Sequence, residues 1–315
     1  MPRVCVIGST NLDFTVSVPR LPRAGETVSG GQLVMSTGGK GANQAVAARR
    51  LGADVRFITL LGADPMGDRL LAALVETGLP AEGLLRTDDA ATGVALIAVD
   101  SEGRNQIAVA PGANHRLTTA LVAARAAALE WADVVLLQLE TPIETVRWSL
   151  SEARRLGKTT VLNPAPARVL PLPPDLFPLV DYLTPNETEA GLLTGRLVSD
   201  LADAEAAGHA LVAAGVGATV VTMGAAGALL VRTGGSIPSP GFPVSPVDTV
   251  GAGDAFNGAL ATLLAAGTAV EDALLVANAA GGLACTRRGA VDALPTRAEV
   301  KRLLDETRRW PKLDW

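Results

Sequence analysis

The sequence predicts an α/β fold, a doubly wound and mainly parallel sheet between helices, with a small β-sheet appended to one side. Three observations carry that prediction. Short apolar runs alternate with alanine- and leucine-rich helical stretches along most of the 315 residues, and repeated strand–helix units give a parallel sheet. The apolar runs are continuous, as expected of strands covered on both faces. Two segments, about residues 12–36 and 92–110, break the rhythm with paired strand-like runs.

Taken in order, "RVCVIG" is the first strand and "GANQAVAARRLG" its helix; "VRFITLLG" and "MGDRLLAALVETG" form the next unit. "DVVLLQLE" leads into "IETVRWSLSEARRLG", and the strands "TTVLNP", "DYLTPN" and "ATVVTMG" follow. Ligands of such sheets bind at the carboxyl ends of the strands, which is where Gly8, Glu140, Asn163, Asn186 and Gly224 fall. In the appended sheet, "DSEGR" reads as a hairpin connection. Such a flap would close over a ligand, pair with another subunit's edge, or simply extend the sheet; the pattern does not choose. "NPAPARVLPLPPDLFPLV" is a loop and not a linker, because sheet segments resume at "DYLTPN". The expectation is one α/β domain over 1–315.

Composition narrows the function. About half the residues are apolar, enough for a large core, and the net charge of -5 comes without any block of like charges. That argues against nucleic-acid and membrane-surface partners. The apolar start "MPRVCVIG" is too short for an export signal, and Glu271 and Asp272 interrupt the most apolar region, so a buried helical pair is expected there. Cys5 and Cys285 lack any nearby cysteine partner, which fits buried thiols in a reducing cytoplasm.

The chemistry gathers in four stretches. "DTVGAGDAFNG", Asp248 to Gly258, is not a dinucleotide loop, because the third glycine would fall at Phe256. It is not a P-loop either, since Asp254 and not Lys follows Gly253. What remains is a glycine turn opening a helix at about Ala252, with free N–H groups that suit an anion. Asp254 inside such a site would be a base or meet a metal; otherwise it is only a favourable first-turn acid. In "STGGKGANQ", Gly38, Gly39 and Gly41 surround Lys40, one of only four lysines, and imply close approach to a ligand served by Lys40 or Asn43, or else a tight loop. "GSTNLD" places Asn11 near Asp13, a pair suited to vicinal hydroxyls because the carboxylate accepts two hydrogen bonds while the amide both donates and accepts. "TPNETEA" puts Asn186 and Glu189 one helical turn apart, either as ligands of a hydrated magnesium ion or as a helix cap. His115 and His209 have no Ser or Cys motif beside them, so a nucleophilic triad has no support.

Together, "GGKGANQAVAARRLGA" and "VDTVGAGDAFNGAL", with "RAGETV" before the first and "LLGADPMGD", "LQLETP", "LNPAPA" and "TMGAAGALL" in order between the two, resemble the ribokinase family of sugar and nucleoside kinases across essentially the whole chain. The resemblance implies a three-layer ribokinase-like fold and ATP-dependent phosphorylation of the 5-hydroxyl of D-ribose. It implies that Asp254 is the base and that the amides of Gly251, Ala252 and Gly253 form the anion hole. By the same resemblance Asn11, Asp13, Gly39, Lys40, Asn43 and Glu140 contact sugar, while Asn186, Thr222, Gly224, Gly227, Gly253 and Asn278 contact nucleotide. Glu189 would serve Mg2+ through water, and Asp248, Val250, Ala284, Arg287, Gly289 and Ala293 would surround K+, with Ala293 standing where the family often has serine. The β segments become a lid and homodimer clasp.

Overall fold

The first strand shows how the layers arise. In β1 (Arg3–Ile7), Val4 and Val6 join one core cluster and Cys5 and Ile7 the other, because successive side chains of a strand point to opposite faces. From Val4 onward the strand is apolar at every position, and it sits between two layers of helices. The computed structural model describes residues 1–167 and 171–309; three residues of the proline-rich loop over 163–180 lie outside that range.

β2 (Asn11–Ser17) and β3 (Leu33–Gly38) follow, then α1 (Lys40–Arg50), β4 (Asp54–Gly62), α2 (Pro65–Glu76) and β5 (Leu84–Thr87). β6 (Gly93–Val99) and β7 (Asn105–Ala110) precede α3 (Thr119–Ala123), α4 (Ala126–Trp131), β8 (Val134–Leu137) and α5 (Ile143–Arg155). Next come β9 (Thr159–Leu162), β10 (Tyr182–Leu183), α6 (Glu187–Thr194), α7 (Leu201–Ala213) and β11 (Ala218–Thr222). β12 (Gly227–Arg232), β13 (Gly235–Pro240), α8 (Ala252–Ala265), α9 (Val270–Ala284) and α10 (Arg297–Thr307) complete the described chain.

The main sheet runs β13-β12-β11-β10-β9-β8-β1-β4-β5, parallel from β5 to β11 and closed at the other edge by the antiparallel β12–β13 hairpin. That hairpin is absent from the sequence reading. A 3-10 turn over Gly224–Ala226 in "TMGAAGALL" reverses the chain from β11 into β12, and Thr233 and Gly234 then turn β12 into β13. One helical layer holds α1, α8, α9 and α10; α3, α4 and α5 cover the opposite face.

The small sheet forms as expected, in the order β3-β2-β6-β7. Its outer pairs are antiparallel, while the central β2–β6 pair, which joins the two predicted segments, is parallel. Leu12 on β2 packs with Leu61 of β4 and Leu70 of α2, fixing the root of this lid. Asp64 adds a polar clamp there: it caps α2 through the Gly67 N–H (2.8 Å) and also accepts from the N–H and hydroxyl of Thr92, each at 2.8 Å. Among the described residues no helix is long and apolar enough to cross a membrane. Cys5 is buried as expected, whereas Cys285 is only partly so; both are free thiols.

Candidate active site

A cleft of about 1160 Å³ lies along the carboxyl ends of the parallel strands and under the lid. Asn11 and Asp13 reach it together because they are two apart on β2, with Leu12 turned to the opposite face. Gly39, Lys40 and Asn43 enter from the start of α1, and Glu140, Asn163 and Asn186 from the ends of β8, β9 and β10. Ala95, Ile97, Ile107 and Val109 of the lid form the roof.

One end of this cleft is dense with fixed polar groups. Asp254 is buried in the first turn of α8; Oδ2 accepts from Asn43 Nδ2 (2.8 Å) and Oδ1 from Gln44 Nε2 (2.9 Å). Burial raises its pKa, against the opposing pull of the Lys40 charge and of those two amides. For the Lys40 ammonium the balance runs the other way. Burial alone would lower its pKa, but Asp254, Glu140 and Glu189 together outweigh burial and the net shift is upward. Asp13 is pushed up to about 7, chiefly by burial and then by the Glu140 and Asp254 charges. Glu140 is held in place by Ser9 Oγ (2.5 Å) and by the Lys40 N–H (3.1 Å), both donating to Oε2.

Two oxygens at this end, Asp13 Oδ1 and Asn43 Oδ1, are buried without a hydrogen-bond partner. Such acceptors are costly to bury unless something fills them. The Asn11 carbonyl, by contrast, is already used. Asn114 locks its own amide on the backbone of Thr10, accepting from its N–H (2.8 Å) and donating to its C=O (3.1 Å), and also donates to Asn11 Oδ1 (2.8 Å). Asn11 Oδ1 thus already accepts one hydrogen bond, while its NH2 is left for a ligand. Asn114, Ser9 and Gln44 are missed by sequence reasoning: Asn114 carries no motif signal, while Ser9 and Gln44 lie unremarked inside "GSTNLD" and "GGKGANQ".

The glycines around Lys40 have a reason other than ligand approach alone. A side chain on Gly41 would bring its Cβ within 2.5 Å of the Gly8 carbonyl carbon and Ser9 nitrogen, so the start of α1 crosses the end of β1 where no Cβ fits.

At α8 the helix begins as predicted. Gly251 takes the N-cap position with φ 79° and no side chain caps the helix. Among the described residues the N–H groups of Gly251 and Gly253 have no hydrogen-bond partner, whereas that of Ala252 leans on the Thr249 carbonyl at 3.3 Å. The helix dipole and two free amides thus sit beside Asp254.

The other end of the cleft is built of turns and apolar surface. Asn186 and Glu189 form a full capping box, with Asn186 Oδ1 accepting from the Glu189 N–H (2.8 Å) and Glu189 Oε2 from the Asn186 N–H (3.0 Å), and both still face the cleft. The cap reading is thus met directly, and the same two residues also line the cleft. Burial, first of all, raises the pKa of Glu189. Thr222, Gly224 and Gly227 line the turn after β11. Asn278 on α9 spends its NH2 on the carbonyl and hydroxyl of Ser239 (2.8 and 2.9 Å), so its carbonyl is the group left over. Phe242, Pro243, Val244 and Pro246 complete the wall and are absent from the sequence reading.

Next to the anion-hole turn, Asp248 ties two loops together, Oδ1 accepting from the Val250 N–H and Oδ2 from the Gly289 N–H, each at 3.0 Å. Ala284 and Ala293 are fully buried nearby, and the Arg287 guanidinium turns to Glu299. Of the expected cation set, Arg287 therefore offers only backbone. Among the described residues no cluster of three or more His, Cys, Asp or Glu forms a metal cage.

A buried carboxylate beside an uncapped helix start, facing unfilled hydroxyl acceptors at the carboxyl edge of a parallel sheet, defines a cleft for moving a phosphoryl group onto a polyhydroxylated acceptor. The family described as pfkB family carbohydrate kinase matches residues 1–297, and the chain belongs to that family. It is 40% identical over 304 residues to the ribokinase of Bacillus subtilis, covering 96% of this chain and 100% of the relative. It is 34% identical over 293 residues to the deoxyribokinase of Salmonella typhi, covering 93% and 95%. In structure it resembles Arabidopsis thaliana ribokinase complexed with ribose and ATP, with a TM-score of 0.90, 31% identity and coverage of 96% of this chain and 98% of that one.

Proposed function

We propose that this protein transfers the γ-phosphoryl group of ATP to the 5-hydroxyl of D-ribose, giving ribose 5-phosphate and ADP. The observation that carries the reading is the pair of buried, unfilled acceptors Asp13 Oδ1 and Asn43 Oδ1 on the same side of the cleft as Asp254. Two sugar hydroxyls would donate to them, while the Asn11 NH2 and Lys40 donate to sugar oxygens and Glu140 accepts. Asp254 then takes the proton of the attacking hydroxyl as the oxygen–phosphorus bond forms and the bond to ADP breaks. The free amides of Gly251 and Gly253 receive the charge on the transferring group, which phosphoryl transfer needs more than any covalent help.

The nucleotide lies toward Asn186, Thr222, Gly224, Gly227 and Asn278. Mg2+ fits here as an ion held mainly by phosphates and water, with Glu189 as its protein partner, and it would neutralise phosphate charge. K+ would sit by the loops that Asp248 joins, held by backbone carbonyls near Val250, Ala284, Gly289 and Ala293, and keep the anion-hole turn in shape. Leu33 and Met35 on β3, with Leu96 on β6, share the face of the lid turned away from the cleft and leave exposed apolar surface there that suits pairing with a second copy.

A panel of ribose, 2-deoxyribose and fructose in an ATP-coupled assay, run in potassium and in sodium buffer alongside sedimentation, tests these parts together. Ribose should be turned over fastest, more slowly in sodium, by a dimer. Faster turnover of deoxyribose or fructose would overturn the substrate, an equal rate in sodium the cation, and a monomer mass the clasp.

A further inference from the structure

Gln44 and Gln138 belong to no motif role assigned above, yet they lie directly behind the carboxylate of Asp254. Both are buried, and their orientations are not free choices. Asn163 donates to the Thr184 carbonyl through Nδ2 (3.1 Å), so its Oδ1 faces Gln44 and can only accept. A carboxylate likewise only accepts. Gln44 Nε2 must therefore point to both, at 3.2 Å to Asn163 and 2.9 Å to Asp254, which turns Gln44 Oε1 toward Gln138. Gln138 answers by donating Nε2 at 2.6 Å. That in turn leaves Gln138 Oε1 buried with no partner, pressed against Gly8, where a Cβ would stand 2.1 Å from it.

An orphaned amide oxygen in a core is a standing cost, and replacing Gln138 by an apolar side chain would remove it. Its retention makes sense if the donor at the other end of the same amide is what matters. We propose that Gln138 and Gln44 form a relay of positioning residues that fixes the Asp254 carboxylate in the rotamer from which it meets the attacking hydroxyl. Gln138 does this through Gln44 alone, and Gly8 is the residue that makes room for it. The inference rests on the reading of Asp254 as base.

Turnover and sugar KM are measured for Gln44→Met, Gln138→Met, the double variant and Asp254→Asn, with thermal midpoints as the folding control. Gln44→Met should lower kcat by about 10- to 100-fold, as expected when a reacting group is slightly misplaced, and leave the sugar KM within about threefold. Gln138→Met should lower kcat less, and the double variant should be no worse than Gln44→Met alone, because the two act in series. The acid limb of the kcat–pH profile should also move to higher pH in Gln44→Met. A donor to the ionised form has gone, while Lys40, Glu140, Asp13 and Glu189, the charged groups facing Asp254, are unchanged.

Losses that multiply in the double variant, a KM effect without a kcat effect, or an unmoved acid limb would overturn the relay. Near-normal turnover by Asp254→Asn would instead overturn the base itself. If Gln44→Met fails to fold, the kcat–KM split and the acid limb of Gln138→Met decide alone, since that residue does not touch Asp254.

Discussion

The two ends of the cleft are built on different principles. At the Asp254 end, side chains from β2, α1, β8 and α8 are buried and fixed by hydrogen bonds of 2.5 to 3.1 Å, down to which atom of each amide faces which partner. At the other end, beyond Glu189, the walls are turns, glycines and the apolar residues Phe242, Pro243, Val244 and Pro246. The first end is equipped to recognise a ligand by hydrogen-bond polarity, the second by shape and backbone. The difference teaches that selectivity and chemistry are concentrated where desolvation makes each polar contact count.

The sharpest way to break this comparison is Asp254→Asn. Removing a general base costs about 10²- to 10⁴-fold in rate, so kcat should fall by that order while the KM values for ribose and ATP stay near normal. Steady-state kinetics on both substrates checks this. A variant that loses ATP affinity more than turnover would place Asp254 with the nucleotide and erase the distinction between the ends.

Asp13 tests the polar end by pH. Its carboxyl is pushed up to about 7, so below that pH the free protein carries it protonated. The ionised form is the better acceptor for two hydroxyls, and ribose binding must then expel a proton. Ribose KM should therefore fall as pH rises toward about 7, by up to about tenfold per unit, and level off above it. Asp13→Asn should abolish that slope, raise ribose KM and narrow the preference for ribose over 2-deoxyribose, since the cost of an unmatched buried partner, about 1–3 kcal/mol, is lost from the discrimination. A sloping KM profile that persists in Asp13→Asn would assign the titration to another group.

The contrast between the ends also explains what the sequence made legible. The layered fold was readable because strands covered on both faces, such as β8 and β1 from Val4 onward, stay apolar at successive positions, and the start of α8 at Ala252 was readable because Gly251 and Gly253 punctuate it. Asn11 and Asp13 stood out as an amide and a carboxylate set close together just after the first strand, and Asp254 as an acid at a glycine turn that opens a helix. Asn114 and Gln138 did not, since their meaning lies in which atom of the amide faces a partner over 90 residues away, as the Gln138–Gln44 and Asn114–Asn11 bonds do. The β12–β13 hairpin and the Phe242–Pro246 wall were missed because a turn through glycines and a proline-rich loop have no period to detect.

The smallest effect is expected at that wall. Val244 lies on the cleft beside Gly282 of α9, half-buried and apolar, and makes no polar contact of its own. If this end works by shape, trimming it weakens nucleotide binding only by the transfer energy lost, about 0.8 kcal/mol for each CH2 group that the base of the nucleotide would cover. Val244→Ala should accordingly raise ATP KM by about two- to fivefold, with ribose KM and kcat unchanged, because Val244 forms no hydrogen bond to any group around Asp254. A larger rise, or one accompanied by a fall in kcat, would mean that the wall also positions the phosphates, and that the two ends are mechanically one site.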